Sequence, residues 1–503
     1  MRHVLAAVTV IAAAVSACAS APAAPDADPE GAVTAKPVAW GPCTDIRRPQ
    51  GATPAQADPT VRCGKVTVPL DYSKPNGDTI DLALIKLSAT HPNNRIGSLV
   101  FNFGGPGASG VDTLDQASKA FGVLRTRYDL VSFDPRGVQR SAGVRCGTNA
   151  EMDAYAALNT LPINAETRAK GRAANQQFAQ QCERDAGKVL PYVGTINAAR
   201  DMDRIRQAVG DPKLNYFGMS YGTQLGAVYA TEYPENVGRM VLDAPLDPTV
   251  DFEQRAIAQT RGFQQAYESF LRWCVKEGCD LGANAKAADD NIEKLLHQLA
   301  AKSLPVNGRQ LTQGLASTAI AAALYSDLTW PFLETALSHA MKNGKGGGLM
   351  YLADTYTGRN PDGTYSTQLS SFPAITCVDS TERPDEALLR RTEATALKIS
   401  PLFGSEGPGG LCRFWPAGGS DQARHVDATG SKPIVVVGGK GDPATPYQWA
   451  PKLTAQLKTA TLVTYEGEGH GAYTSGNKCV TGVVNTYLLN GKVPVKGTTC
   501  AAT

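Results

Sequence analysis

The chain has 503 residues, 49 Lys plus Arg against 47 Asp plus Glu, and a net charge of +2. So even a balance gives no electrostatic basis for a nucleic-acid partner, and the length exceeds one average domain, which predicts a large catalytic body with a sizeable insertion. Eleven cysteines point instead to an oxidising compartment.

The N-terminus agrees with that. Arg2 and His3 precede an apolar run, Val4 to Val15, which is too short to span a bilayer and reads as a signal peptide. The run closes on Val15-Ser16-Ala17-Cys18, which resembles the bacterial lipobox. Residues 1–17 are therefore expected to be removed and Cys18 to carry lipid, with ordinary cleavage at small residues such as Ala17 or Ala19 as the alternative. Either way the protein is expected outside the cytoplasm, anchored to the outer face of the membrane or released, with membrane contact only through the lipid. Residues 18–39, rich in Ala and Pro and aperiodic, read as a tether, and folding is expected to start near Trp40. The remaining cysteines, Cys43, Cys63, Cys146, Cys182, Cys274, Cys279, Cys377, Cys412, Cys479 and Cys500, form an even set that predicts five disulfides, here expected to pair in sequence order.

Alternating apolar and polar residues predict strands at Lys65 to Leu70 and Thr79 to Leu87, joined through the turn signal Lys74-Pro75-Asn76-Gly77-Asp78. Ser98 to Phe103 and Tyr128 to Phe133 are nearly continuous apolar runs, as in strands buried on both faces of a parallel sheet. Helical spacing follows at Val111 to Leu124 and Ala198 to Val209, and the alternation continues through Leu214 to Phe217, Tyr221 to Tyr233 and Val237 to Leu242. This is α/β architecture. Residues 249–432 change character, with Trp, Leu and Ala at helical spacings and few strand signals, and read as a helical cap inserted over the sheet. The α/β rhythm returns at residues 433–503 with strands Ile434 to Val437 and Thr461 to Tyr465 and helices near Trp449 to Leu457 and Val480 to Leu489. The core, 40–248 plus 433–503, is thus a mostly parallel sheet split by the cap.

Gly218-Met219-Ser220-Tyr221-Gly222 matches G-x-S-x-G at the junction of a buried strand and a helix, the elbow that exposes a nucleophilic serine in the α/β-hydrolase fold. Such a serine needs a base, and the base needs a carboxylate to fix its tautomer, in chain order Ser, Asp, His. Of six histidines, His3 and His91 precede Ser220, and His297, His339 and His425 precede the best-placed acid. His470 remains, in Glu466-Gly467-Glu468-Gly469-His470-Gly471 after a strand. Asp442 follows the strand Ile434 to Val437, at a carboxyl end where α/β sheets place their sites, with Glu466 and Glu468 as fallback acids. For the oxyanion, Phe103-Gly104-Gly105-Pro106-Gly107 offers close backbone approach: Gly105 N–H is assigned as one donor and Tyr221 N–H as the other, with Gly104 and Gly107 as substitutes. Gly105 to Gly110 also fits G-x-G-x-x-G, with Asp129 and Asp134 at ribose-binding spacing, but Pro106 removes a donor and the unit is not the first βαβ. No phosphate-loop or H-E-x-x-H spacing occurs, so neither cofactor nor metal is expected.

The ordered set Asn102 to Gly107, Ser132-Phe133-Asp134-Pro135-Arg136-Gly137, Gly218 to Gly222, Cys412 to Pro416, Gly441 to Pro446 and Gly467 to His470 resembles the actinobacterial tripeptidyl aminopeptidase family, secreted α/β-hydrolases related to prolyl aminopeptidases. The resemblance covers nearly the whole chain from about Trp40. It implies the triad Ser220, Asp442 and His470, an oxyanion role for the Gly104 to Gly107 loop, and peptide or protein substrates cut near a free N-terminus. Exopeptidases of this type hold the substrate amine with acids from the cap, and Asp379 is the candidate here. The rival readings are an esterase or lipase of the same fold and a catalytically silent binding lipoprotein.

Overall fold

The structure, a computed structural model, describes residues 35–46, 60–404 and 410–502. The expected signal peptide and the candidate lipidation residue Cys18 lie outside these residues. The strands are β1 (Val61–Pro69), β2 (Thr79–Leu87), β3 (Gly97–Asn102), β4 (Tyr128–Phe133), β5 (Leu214–Met219), β6 (Val237–Asp243), β7 (Leu304–Val306), β8 (Arg309–Leu311), β9 (Ile434–Gly441), β10 (Ala460–Glu468) and β11 (Thr499–Cys500). Nine of them form one sheet in the order β1-β2-β4-β3-β5-β6-β9-β10-β11, while β7 and β8 make a separate hairpin. The β1–β2 hairpin meets β4 antiparallel, and every later pairing in the large sheet is parallel.

The apolar runs explain this arrangement. All six residues of β3 are buried, because alternate side chains feed two cores on opposite faces. Val100 and Val131 pack with the helices Thr195–Ala208 and Tyr221–Glu232, whereas Leu99, Phe101 and Leu130 pack with Gly110–Ala117 and Lys478–Asn490. The expected helix at Val111 to Leu124 is broken: it runs Gly110–Ala117, tightens over Ser118–Phe121 and ends in the short turn Gly122–Arg125. Arg136 is the buried clamp of the β4 exit. Its guanidinium forks onto Asp201 at 2.7 Å through both Nε and Nη2 and donates to the carbonyls of Leu70, Pro69 and Tyr192.

Between β6 and β9 lies a third core. Its walls are the helices Phe252–Glu277, Ala285–Ala301, Gln313–Ala323, Trp330–Asn343 and Gly347–Thr357. The run Gly344 to Gly348 joins the last two, with Gly344 left-handed at the end of Trp330–Asn343 (φ 60°) and Gly348, in Gly347–Thr357, packed against Ala336 of that preceding helix. Periodicity left 149–186 unassigned, yet Asn149–Ala156 and Ala165–Ala186 are helical, each opened by a capping box. Their linker docks on the third core, where Gln313 Oε1 accepts Thr160 N–H (2.8 Å) and Leu161 N–H (3.2 Å). The five disulfides pair Cys43–Cys63, Cys146–Cys182, Cys274–Cys279, Cys377–Cys412 and Cys479–Cys500, in sequence order. Among the described residues no helix is long and apolar enough to cross a membrane, and no cluster of His, Cys, Asp or Glu is arranged to hold a metal ion.

Candidate active site

Ser220 stands between β5 and the helix Tyr221–Glu232 with φ 55° and ψ −125°, a conformation rarely tolerated outside glycine and the mark of a strained elbow. The flanking glycines answer to close approach. A Cβ on Gly218 would lie 2.3 Å from the Gly222 carbonyl oxygen, and one on Gly222 would lie 2.4 Å from that of Asn102. Ser220 N–H donates to the Asp243 carbonyl at 3.0 Å, so the end of β6 fixes the elbow.

The oxyanion loop reaches this elbow from β3. A Cβ placed on Gly104 would meet Ser220 Cβ at 2.7 Å and Tyr221 N at 3.2 Å. Gly104 N–H is already donated to Asn102 Oδ1 (3.0 Å), whereas neither Gly105 N–H nor Tyr221 N–H has a partner among the described residues. Gly104 N–H is thus engaged, while Gly105, Tyr221 and also Gly107, whose N–H likewise has no partner among the described residues, keep amides open to a developing oxyanion.

Asp442 and His470 meet across β9 and β10. Strand β9 runs on to Gly441, four residues beyond Val437, and so delivers Asp442 directly to its carboxyl end. The His470 Nδ1 lies 2.9 Å from both Asp442 carboxylate oxygens. Asp442 is 3% exposed and also accepts Ala444 N–H (2.9 Å), Thr445 N–H (2.8 Å) and the Thr445 hydroxyl (2.9 Å), which fix its orientation. Burial pushes the imidazole pKa down, but the charge and hydrogen bond of Asp442, with the more distant Asp243 carboxylate, outweigh it and hold His470 above its ordinary value. The Ser220 hydroxyl makes no hydrogen bond to His470 in this structure, a separation common in unliganded sites.

Asp243 was not singled out in the sequence, although it ends the strand beside the nucleophile strand, which is a signal. It is fully buried, and its two oxygens accept Ala472 N–H (3.0 Å) and Tyr473 N–H (2.9 Å), the residues that follow the His470 loop. One residue thus ties the elbow through its carbonyl and the histidine loop through its side chain. Burial raises its pKa to about 6. Tyr325 also escaped notice: its carbonyl accepts His470 N–H (2.8 Å) and its ring stands edge-on to the imidazole at 5.2 Å.

The fallback acids are spent elsewhere, Glu466 on Lys440 (2.7 Å) and Glu468 on the Ser269 hydroxyl (2.9 Å). So are the acids of the dinucleotide reading: Asp134 takes the Ser109 hydroxyl, Val111 N–H and Arg140, and Asp129 takes Ala89 N–H and Arg95. Asp379 is held by Thr195. One oxygen accepts Thr195 N–H (2.7 Å), the other the Thr195 hydroxyl, which in turn lies 2.6 Å from the Tyr221 hydroxyl. Burial lifts Asp379 to about 6, against these hydrogen bonds and the nearby charge of Arg255.

Residues 400–500 match the family model described as TAP-like protein. Over 92% of this chain and 91% of the relative, the sequence is 37% identical to serine protease Hip1 of Mycobacterium tuberculosis. It is 34% identical to carboxylesterase B of the same organism, covering 88% and 86% of the two chains. It is 30% identical to the tripeptidyl aminopeptidase of Streptomyces lividans, covering 88% and 84%.

Proposed function

The chain belongs to the tripeptidyl aminopeptidase-like family of α/β-hydrolases and is a serine peptidase; from that premise we propose that it releases short peptides, tripeptides foremost, or single amino acids from free N-termini through an acyl-enzyme. The observation that carries this reading is the convergence of the Ser220 elbow, two unoccupied amides and the His470–Asp442 pair at the carboxyl end of one sheet.

His470 Nε2 takes the Ser220 hydroxyl proton as the oxygen attacks the scissile carbonyl. Asp442 holds the Nδ1–H tautomer and stabilises the imidazolium. Gly105 N–H and Tyr221 N–H hold the tetrahedral oxyanion, His470 returns the proton to the departing amine, and water releases the acyl group by the same route. Asp379 receives the substrate ammonium: its side chain keeps lone pairs beyond those used by Thr195, whose hydroxyl links it to the hydroxyl of Tyr221, the residue that follows Ser220. The five disulfides fit an exported protein, and Cys18 is proposed to carry the lipid that holds it at the outer membrane face.

A second reading, ester hydrolysis, is favoured by the relative named carboxylesterase B and by the identical chemistry of the triad. The test is a release assay on matched peptides with free and blocked N-termini beside a short acyl ester. Cleavage of free-amine peptides alone supports the proposal, and ester turnover without peptide cleavage replaces it with the second reading. Labelling by a fluorophosphonate that disappears in Ser220→Ala checks the nucleophile separately.

A further inference from the structure

The base hands its proton to the leaving group, so whatever flanks His470 also flanks the departing half of the substrate. In this chain that neighbour is aromatic. Tyr325 stands edge-on to the imidazole at 5.2 Å, and its carbonyl also accepts His470 N–H, so ring and base are tied through both side chain and backbone. The Tyr356 hydroxyl lies 3.2 Å from that of Tyr325, with ring centroids 5.8 Å apart. The Tyr356 carbonyl accepts the Gln368 side-chain amide at 3.2 Å. One turn on in that same helix, Gln368–Val378, is Phe372, whose backbone N would lie 3.0 Å from a Cβ on Gly107 of the oxyanion loop. A chain of contacts thus leads from the base to the oxyanion loop, along the cap.

Tyr356 is 40% exposed and Phe372 is 42% exposed. Large rings left open to water beside a catalytic centre signify a contact surface, since burial of an aromatic ring is among the strongest apolar contributions available to the fold. We propose that Tyr325 and Tyr356, continued by Phe372, form a subsite for an apolar or aromatic side chain on the first residue of the leaving peptide. Continuity with His470 fixes the occupant as the leaving half, because the acyl half stays on Ser220 after that residue has gone. The proposal rests on acyl transfer at Ser220 and His470, and holds for a peptide or an ester.

The test uses the purified protein and substrates with one common acyl half and Gly, Leu or Phe as the first leaving residue, read as kcat/KM. Phe and Leu are expected to exceed Gly by about tenfold. In Tyr356→Ala that ratio collapses to about twofold or less, and in Tyr356→Phe, which keeps the ring, it persists. A ratio within one variant is insensitive to partial misfolding, which lowers every substrate alike. If no peptide is cleaved, the aminopeptidase reading has failed and the benzyl-to-methyl rate ratio of matched acyl esters reads the same subsite. A flat leaving-group profile in the parent protein, or a preference that survives Tyr356→Ala, overturns the inference.

Discussion

Replacing Asp442 by Asn tests the core of the chemistry with a single atom exchanged for another of similar size. Asp442 Oδ1 accepts the amides of Ala444 (2.9 Å) and Thr445 (2.8 Å), so an asparagine must keep its carbonyl oxygen there to avoid setting donors against donors. Its NH2 then replaces Oδ2 and faces the Thr445 hydroxyl and His470 Nδ1, while the retained Oδ1, also 2.9 Å from Nδ1, is already shared between the two backbone amides. Facing a donor, the imidazole adopts the Nε2–H tautomer and has no lone pair for the Ser220 proton. The expected loss in kcat is about 10⁴-fold, or roughly 5.4 kcal/mol of barrier at about 1.36 kcal/mol per decade. Steady-state turnover of a fluorogenic free-amine peptide measures it, with thermal unfolding as the control, since the two backbone contacts are retained. Asp442→Asn turning over within about tenfold of the parent, with an unshifted melting temperature, would refute the tautomer argument.

Other consequences are directional. Carboxylates raise the His470 pKa, and the base works neutral, so the acid limb of kcat/KM should have its midpoint above 6.5; Asp243→Asn, which removes one stabilising charge from the imidazolium, should move that midpoint to lower pH in a stopped-flow or steady-state pH profile. Gly222→Ala, with its Cβ 2.4 Å from the Asn102 carbonyl, should cost about 1–3 kcal/mol in denaturant unfolding and depress activity. Gly482→Ala, where a Cβ meets nothing within 4 Å in the helix Lys478–Asn490, should instead stabilise by about 0.5–1 kcal/mol. Asp379→Asn should lower kcat/KM for free-amine peptides by about 10–100-fold more than for an amine-free ester; equal losses on both would reduce Asp379 to a cap for Thr195.

The α/β alternation was legible because strands buried on both faces must be apolar throughout, so Tyr128–Phe133 announces its own limits, as Thr79–Leu87 does by its apolar–polar alternation. Strand ends that carry glycine were not: Gly438, Gly439 and Gly441 extend β9 because ladder pairing with β10 and not propensity holds them, and Gly467 lies at the register shift within β10. The helices of 149–186 were missed because Ala165–Ala186 is polar over most of its surface and buries only Phe178, Ala179, Gln181 and Cys182, too faint a stripe to read.

By itself the sequence determined the elbow at Ser220, the order in which an acid and a histidine follow it, and the even cysteine set, since these depend on local sterics, chain order and parity. Only the tertiary structure decided that the Gly104 amide is engaged by Asn102, that Asp243 braces both the elbow and the His470 loop, and that Tyr325, with Tyr356 against it, stands beside the base. Those facts come from residues up to hundreds of positions apart brought to one sheet edge, and no local pattern records a contact whose partner lies on another strand or in the cap.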